Sequence, residues 1–63
     1  MNGYDIRAER ARRRLTANAL CRNINIHRET LRAIESGEAL PTQDTINKII
    51  SFFEKLDRQR SFV

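Results

Sequence analysis

Arg28 and Arg32 stand four residues apart in "HRETLRAIESG", His27 to Gly37. On a helix that spacing puts both guanidinium groups on one side, one turn apart. Arginine offers a planar fork of donors suited to two-acceptor partners such as phosphate oxygens or a guanine edge. Glu29 and Ala33 share the same arc, as does Ser36. Leu31 and Ile34 point the other way, with Thr30 expected to help them and Glu35 near the inner edge. The segment therefore predicts a short helix with one buried face and one arginine-bearing face. His27 is an imperfect N-cap and Gly37 a helix stop.

That helix needs neighbours to bury its apolar side. One lies upstream. Thr16 is a good N-cap, and Ala17, Leu20, Cys21 and Ile24 fall on one helical face. Asn25 closes the helix, since asparagine tolerates the left-handed conformation. Only a few residues around Asn25 and Ile26 separate the two helices, the length of a helix-turn-helix connection. Pattern alone allows a plain helical hairpin equally well. A first helix is expected from about Asp5 to Arg13 on a thin stripe of Ile6, Ala8 and Ala11, with Tyr4 beside it. "GEALP" reads as a loop from which Leu40 tucks onto the core. Thr42 caps a fourth helix with Asp44 in its first turn, and Ile46, Ile49, Ile50, Phe53 and Leu56 form its buried stripe. Phe52 lies at the margin. The expected fold is all-α, a compact four- to five-helix domain over residues 1–56. Residues 57–63 read as a polar tail or the start of a dimerisation segment.

Composition narrows the class. Sixty-three residues, 40% hydrophobic and 32% charged, suit one small globular domain. No apolar run could span a membrane and no signal core is visible, so the cytoplasm is the expected compartment. Cys21 is the only cysteine and His27 the only histidine. Neither a disulfide nor a zinc site can be assembled from them, and no cofactor is expected. No acid–base or nucleophile constellation surrounds His27, so no enzyme activity is assigned. Charge is unevenly placed. Residues 1–32 hold eight arginines against Asp5, Glu9 and Glu29, a net of +5; residues 33–63 hold four basic and five acidic residues, a net of −1. A basic front half points to a polyanionic partner.

The stretch "LTANALCRNINIHRETLRAIESGEALPTQDTINKI" resembles the lambdoid-repressor and Cro type of helix-turn-helix domain, the XRE family. Leu15, Thr16, Leu20, Ile24, Ile26, Thr30, Leu31, Ile34, Glu35 and Gly37 fit its pattern without a gap, and Pro41, Thr45, Ile46, Lys48 and Ile49 fit its fourth helix. Asn25 stands where the turn glycine is usual, Cys21 for an alanine, and His27 for the usual cap of the reading helix. Ala17 replaces a glutamine that in many relatives touches phosphate and braces that helix. Glu38 lies where relatives often carry a basic residue.

The resemblance implies sequence-specific binding of double-stranded DNA by a transcriptional repressor or regulator, with helix 28–36 in the major groove. Arg28, Glu29, Arg32 and Ala33 are then the expected base contacts. Thr16, Ala17, Asn18, His27, Ser36, Gln43 and Arg13 are the expected phosphate contacts. It also implies a structural ion pair between Arg10 and Glu35. A homodimer on a near-palindromic operator is expected, with Phe52, Leu56, Phe62 and Val63 as candidate dimer contacts. The setting implied is a bacterial or phage-infected cell, at the nucleoid. The rival reading is a protein-interaction module, an antitoxin or anti-repressor, that uses the same fold to cover a partner protein.

Overall fold

Asn2 and Asp5 begin the first helix by exchanging hydrogen bonds. Asn2 Oδ1 accepts from the Asp5 N–H at 2.9 Å, and Asp5 Oδ2 accepts from the Asn2 N–H at 3.3 Å. This reciprocal cap starts α1 at Gly3, two residues earlier than expected, and α1 runs Gly3–Arg12. The computed structural model describes residues 2–61. Three further helices follow: α2 Ala17–Ile24, α3 Arg28–Ser36 and α4 Gln43–Ser61. No strand occurs among the described residues.

Each helix end has a local cause. At the end of α1 the Leu15 N–H donates to the Arg10 carbonyl at 3.0 Å and the Arg14 N–H to the Ala11 carbonyl at 2.9 Å. This is the pattern that normally carries glycine at the left-handed position, yet Arg14 occupies it, at φ 55°. A side chain there is strained. Arg14→Gly is expected to raise stability by about 0.5–1 kcal/mol, read as a higher midpoint in thermal unfolding; an unchanged or lower midpoint would show that Arg14 makes good the strain elsewhere. Thr16 caps α2 through an Ala19 N–H to Oγ1 bond of 3.1 Å. Asn25 closes α2 at φ 58° and Gly37 closes α3 at φ 87°. His27 sits in N-cap geometry before α3 without a side-chain cap bond. Thr42 Oγ1 accepts the Thr45 N–H at 3.1 Å to start α4.

The core is Ile6, Leu15, Leu20, Cys21, Ile24, Leu31, Ile34, Ile49 and Phe53, with Ala17, Ala19, Ile26, Phe52 and Leu56 packed at its border. α2 lies between α3 and α4, and α1 packs on α3. Gly3 makes the α1–α3 approach close: a Cβ there would collide with the Ile34 carbonyl oxygen. None of the described helices is long and apolar enough to cross a membrane.

Several expectations need correction. Leu40 does not tuck down; it is 91% exposed, because the loop after Gly37 turns away from the core. Ile50 is on the rim of α4, 38% exposed, one position past the face centred on Ile49 and Phe53. Thr30, Ala8 and Ala11 are exposed, as is Tyr4. Among its apolar side chains α1 is therefore anchored by Ile6 alone, with Leu15 just beyond its end. α4 itself runs on past Leu56, through Ser61. Phe62 and Val63 lie outside the described residues.

Candidate nucleic-acid interface

α3 is fixed on one side and open on the other. Leu31 and Ile34 are buried, while Arg28, Glu29, Arg32 and Ser36 are exposed and Ala33 is half-buried. Below this arc a cleft is lined by Arg7 and Arg10 of α1, Ala17 of α2, and Arg28, Glu29 and Arg32 of α3. Arg7 was not among the residues singled out from the sequence. It falls one turn before the Arg10 that meets α3, and that spacing was the signal that could have found it.

The tie between α1 and α3 is an ion pair. Arg10 Nε donates to Glu35 Oε2 at 2.9 Å and Nη2 to Oε1 at 3.0 Å, while Nη1 donates to the Leu15 carbonyl at 3.0 Å. The side chains are only 17% and 11% exposed. The hydrogen bonds to Glu35 hold the Arg10 pKa above its ordinary value. Two donors of one guanidinium thus fix the C-terminal turn of α3 against the end of α1, and the third holds the chain just past α1 at Leu15.

Arg28 has no hydrogen-bond or ion-pair partner among the described residues, whereas Arg32 has two. Its Nε donates to Glu29 Oε2 at 3.2 Å and its Nη1 to Glu38 Oε2 at 3.0 Å. Ser36 Oγ donates to the same Glu38 oxygen at 2.8 Å and to the Ala33 carbonyl at 3.2 Å. The Ser36 hydroxyl, then the Arg32 charge, hold the Glu38 carboxyl below its ordinary pKa.

The expected phosphate contacts are dispersed. Thr16, Asn18 and His27 are exposed and Ala17 half-buried near the start of α2 or α3. The amides of Ala17 and Asn18 lie in the first turn of α2, where no intrahelical acceptor exists. Asn18 opens on the side of Arg22 and Asn25, away from the cleft that Ala17 lines. Gln43 Nε2 donates to Asn47 Oδ1 at 2.9 Å. Arg13, expected at phosphate, is turned inward instead. It donates to Asp57 Oδ1 and Oδ2 at 2.8 and 2.7 Å and to Glu9 Oε1 at 2.6 Å, and it lies over the Phe53 ring at 4.4 Å. With its side chain 10% exposed, its donors are spent on the α1–α4 junction. Asp57 and Glu9 are both held below their ordinary pKa, in each case first by hydrogen bonding to Arg13. Arg60 Nη1 donates to the Arg13 carbonyl, which fastens the last turns of α4 to the same point.

Cys21 is buried and free, its thiol pKa pushed up by that burial. Among the described residues no group of His, Cys, Asp and Glu could hold a metal ion.

The helix-turn-helix family matches residues 6–57, which takes in most of α1, the α2–turn–α3 unit and most of α4. The chain belongs to the XRE family of Cro/C1-type helix-turn-helix domains. Comparison with curated proteins and with solved structures gave no match. XRE-family domains are DNA-binding regulators, and the face that this member leaves open on α3 is the arginine-bearing one.

Proposed function

We propose that this XRE-family domain binds double-stranded DNA sequence-specifically as a transcriptional repressor, with α3 in the major groove. The carrying observation is the rigid, one-sided presentation of α3. Its inner face is buried, its last turn is tied down by Arg10–Glu35, and Arg28 and Arg32 are exposed one turn apart. A helix held so can enter a groove about 12 Å wide without losing further order.

Arg28 is the principal base reader in this proposal. Its fork is free to take O6 and N7 of guanine, whereas Arg32 must first leave its carboxylates. Glu29 can accept from a cytosine amino group and Ala33 can meet a thymine methyl. The first-turn amides of α2 and the charge of Arg7 serve phosphates beside the groove. A single module of this kind buries about 600–1,000 Å². Two copies on a near-palindromic operator, with half-sites roughly 34 Å apart, supply the rest. Occupying such a site excludes other proteins from it, which is repression in its simplest form.

In the partner-protein reading Phe52 belongs to the working surface. Phe52 packs half-buried against the core and in tilted contact with Phe53, ring centroids 6.4 Å apart, which leaves less of it to offer. Titration with duplex DNA separates the readings. About four neutralised phosphates give a slope near −3.6 in log K against log salt, so a fourfold rise in salt weakens binding about 100-fold. Salt-indifferent binding, or none at low salt, would replace DNA by a protein partner. Selection from random-sequence duplexes then gives the operator.

A further inference from the structure

Glu38 stands just past the end of α3, in a position set by the chain itself. Gly37 turns the backbone at φ 87°, and the Glu38 N–H donates to the Ala33 carbonyl at 2.9 Å. One oxygen of its carboxylate then accepts from both Arg32 Nη1 and Ser36 Oγ. Those two groups are the hydrogen-bond donors on the rear half of α3 expected to meet the duplex, Arg32 at a base and Ser36 at a phosphate. Nothing in the core depends on this contact, because the Arg32 and Glu38 side chains are 58% and 60% exposed, and pairs so exposed add little to folding.

We propose that Glu38 is a brake on DNA affinity: its carboxylate competes with the duplex for Arg32 and Ser36 and must be displaced when DNA binds. The inference rests on the DNA-binding reading above. Carboxylate and phosphate oxygens are acceptors of the same kind, and one N–H cannot serve both fully. A phosphate arriving at this end of α3 also meets the negative charge of Glu38 well inside the roughly 8–10 Å over which salt leaves charges unscreened. Glu29 holds Arg32 from within α3 in the same way, but only Glu38 also holds Ser36. As a positioning residue Glu38 acts through Arg32 and Ser36, and the sign of its effect is diagnostic. A brake weakens binding while present; a brace that steadied Arg32 on a base would strengthen it.

The test is the affinity of the full chain for a mixed-sequence duplex over a range of salt, for wild type, Glu38→Gln, Arg32→Ala, the double variant and Arg28→Ala. Glu38→Gln is expected to tighten binding about three- to tenfold at low salt and to steepen the salt slope by about one cation. In the Arg32→Ala background the same change is expected to gain clearly less, because the stronger of the two donors that Glu38 holds is gone and only its hold on Ser36 and its charge remain. Unchanged or weaker binding by Glu38→Gln overturns the brake, and so does an equal gain with and without Arg32, which would mean bulk charge alone. Wild type that binds and loses affinity on Arg28→Ala, with no response to Glu38→Gln, overturns the brake and leaves DNA binding standing. A wild type that binds no duplex overturns both.

Discussion

Arg10→Met is expected to lower the melting temperature by roughly 10–25 °C. The substitution keeps an unbranched apolar stem but removes three hydrogen bonds, two to Glu35 and one to the Leu15 carbonyl. It also leaves Glu35, 11% exposed as a side chain, with a carboxylate that water can scarcely reach. Stranding one partner of a buried pair costs about 3–5 kcal/mol, and losing an exposed pair about 0–1. This pair lies nearer the buried limit, so about 2–4 kcal/mol is the expectation. For a chain of this length each kcal/mol moves the midpoint by about 4–8 °C. The loss is a large part of a total that for such a domain is about 3–9 kcal/mol. Glu35→Met added to Arg10→Met should recover much of it, because no charge is then left alone. A midpoint within about 4 °C of wild type would mean that solvent screens the pair after all.

Arg28→Ala is the expected large effect on binding. It should cost about 1–3 kcal/mol on the selected operator, roughly 5- to 150-fold in Kd, and relax preference at one base position. Folding should be unaffected, since Arg28 is exposed and has no partner to abandon among the described residues. Arg32→Ala should cost less. In the free protein Arg32 is already held by Glu29 and Glu38, and whatever it gains on DNA is reduced by leaving them. Should Arg32→Ala prove the more damaging, the roles of the two arginines are reversed. Unchanged sequence preference in both variants would take α3 out of the groove.

The α2–turn–α3 unit was legible because every signal for it is local. Thr16 caps, Asn25 and Gly37 take left-handed backbone, and the apolar residues recur at helical spacing. The start of α1 was legible in principle: Asn2 and Asp5 have the spacing of a reciprocal cap, although Gly3 follows Asn2 and glycine disfavours helix. The last turns of α4 were not legible. "DRQRS" has no apolar stripe, and what accompanies its helical form is Asp57 and Arg60 reaching Arg13, 44 and 47 residues away in sequence. The internal pairing of Arg13 was hidden for the same reason. A run of three arginines looks like an exposed helix end until Phe53, Glu9 and Asp57 converge on its middle member. Leu40 was expected inward on hydrophobicity alone, and a loop fixed by its own backbone bonds to Ala33 left it outside.

The pairing pattern changes how the sequence's positive charge should be counted. Of the eight arginines in the front half, Arg10, Arg12, Arg13 and Arg32 already have carboxylate partners within the protein. Arg7, Arg14, Arg22 and Arg28 have none among the described residues. To an approaching polyelectrolyte this half of the domain is thus a carrier of a few unspent cations, two of them, Arg7 and Arg28, lining one cleft, and a tally of residues overstates the number of ions its binding can displace.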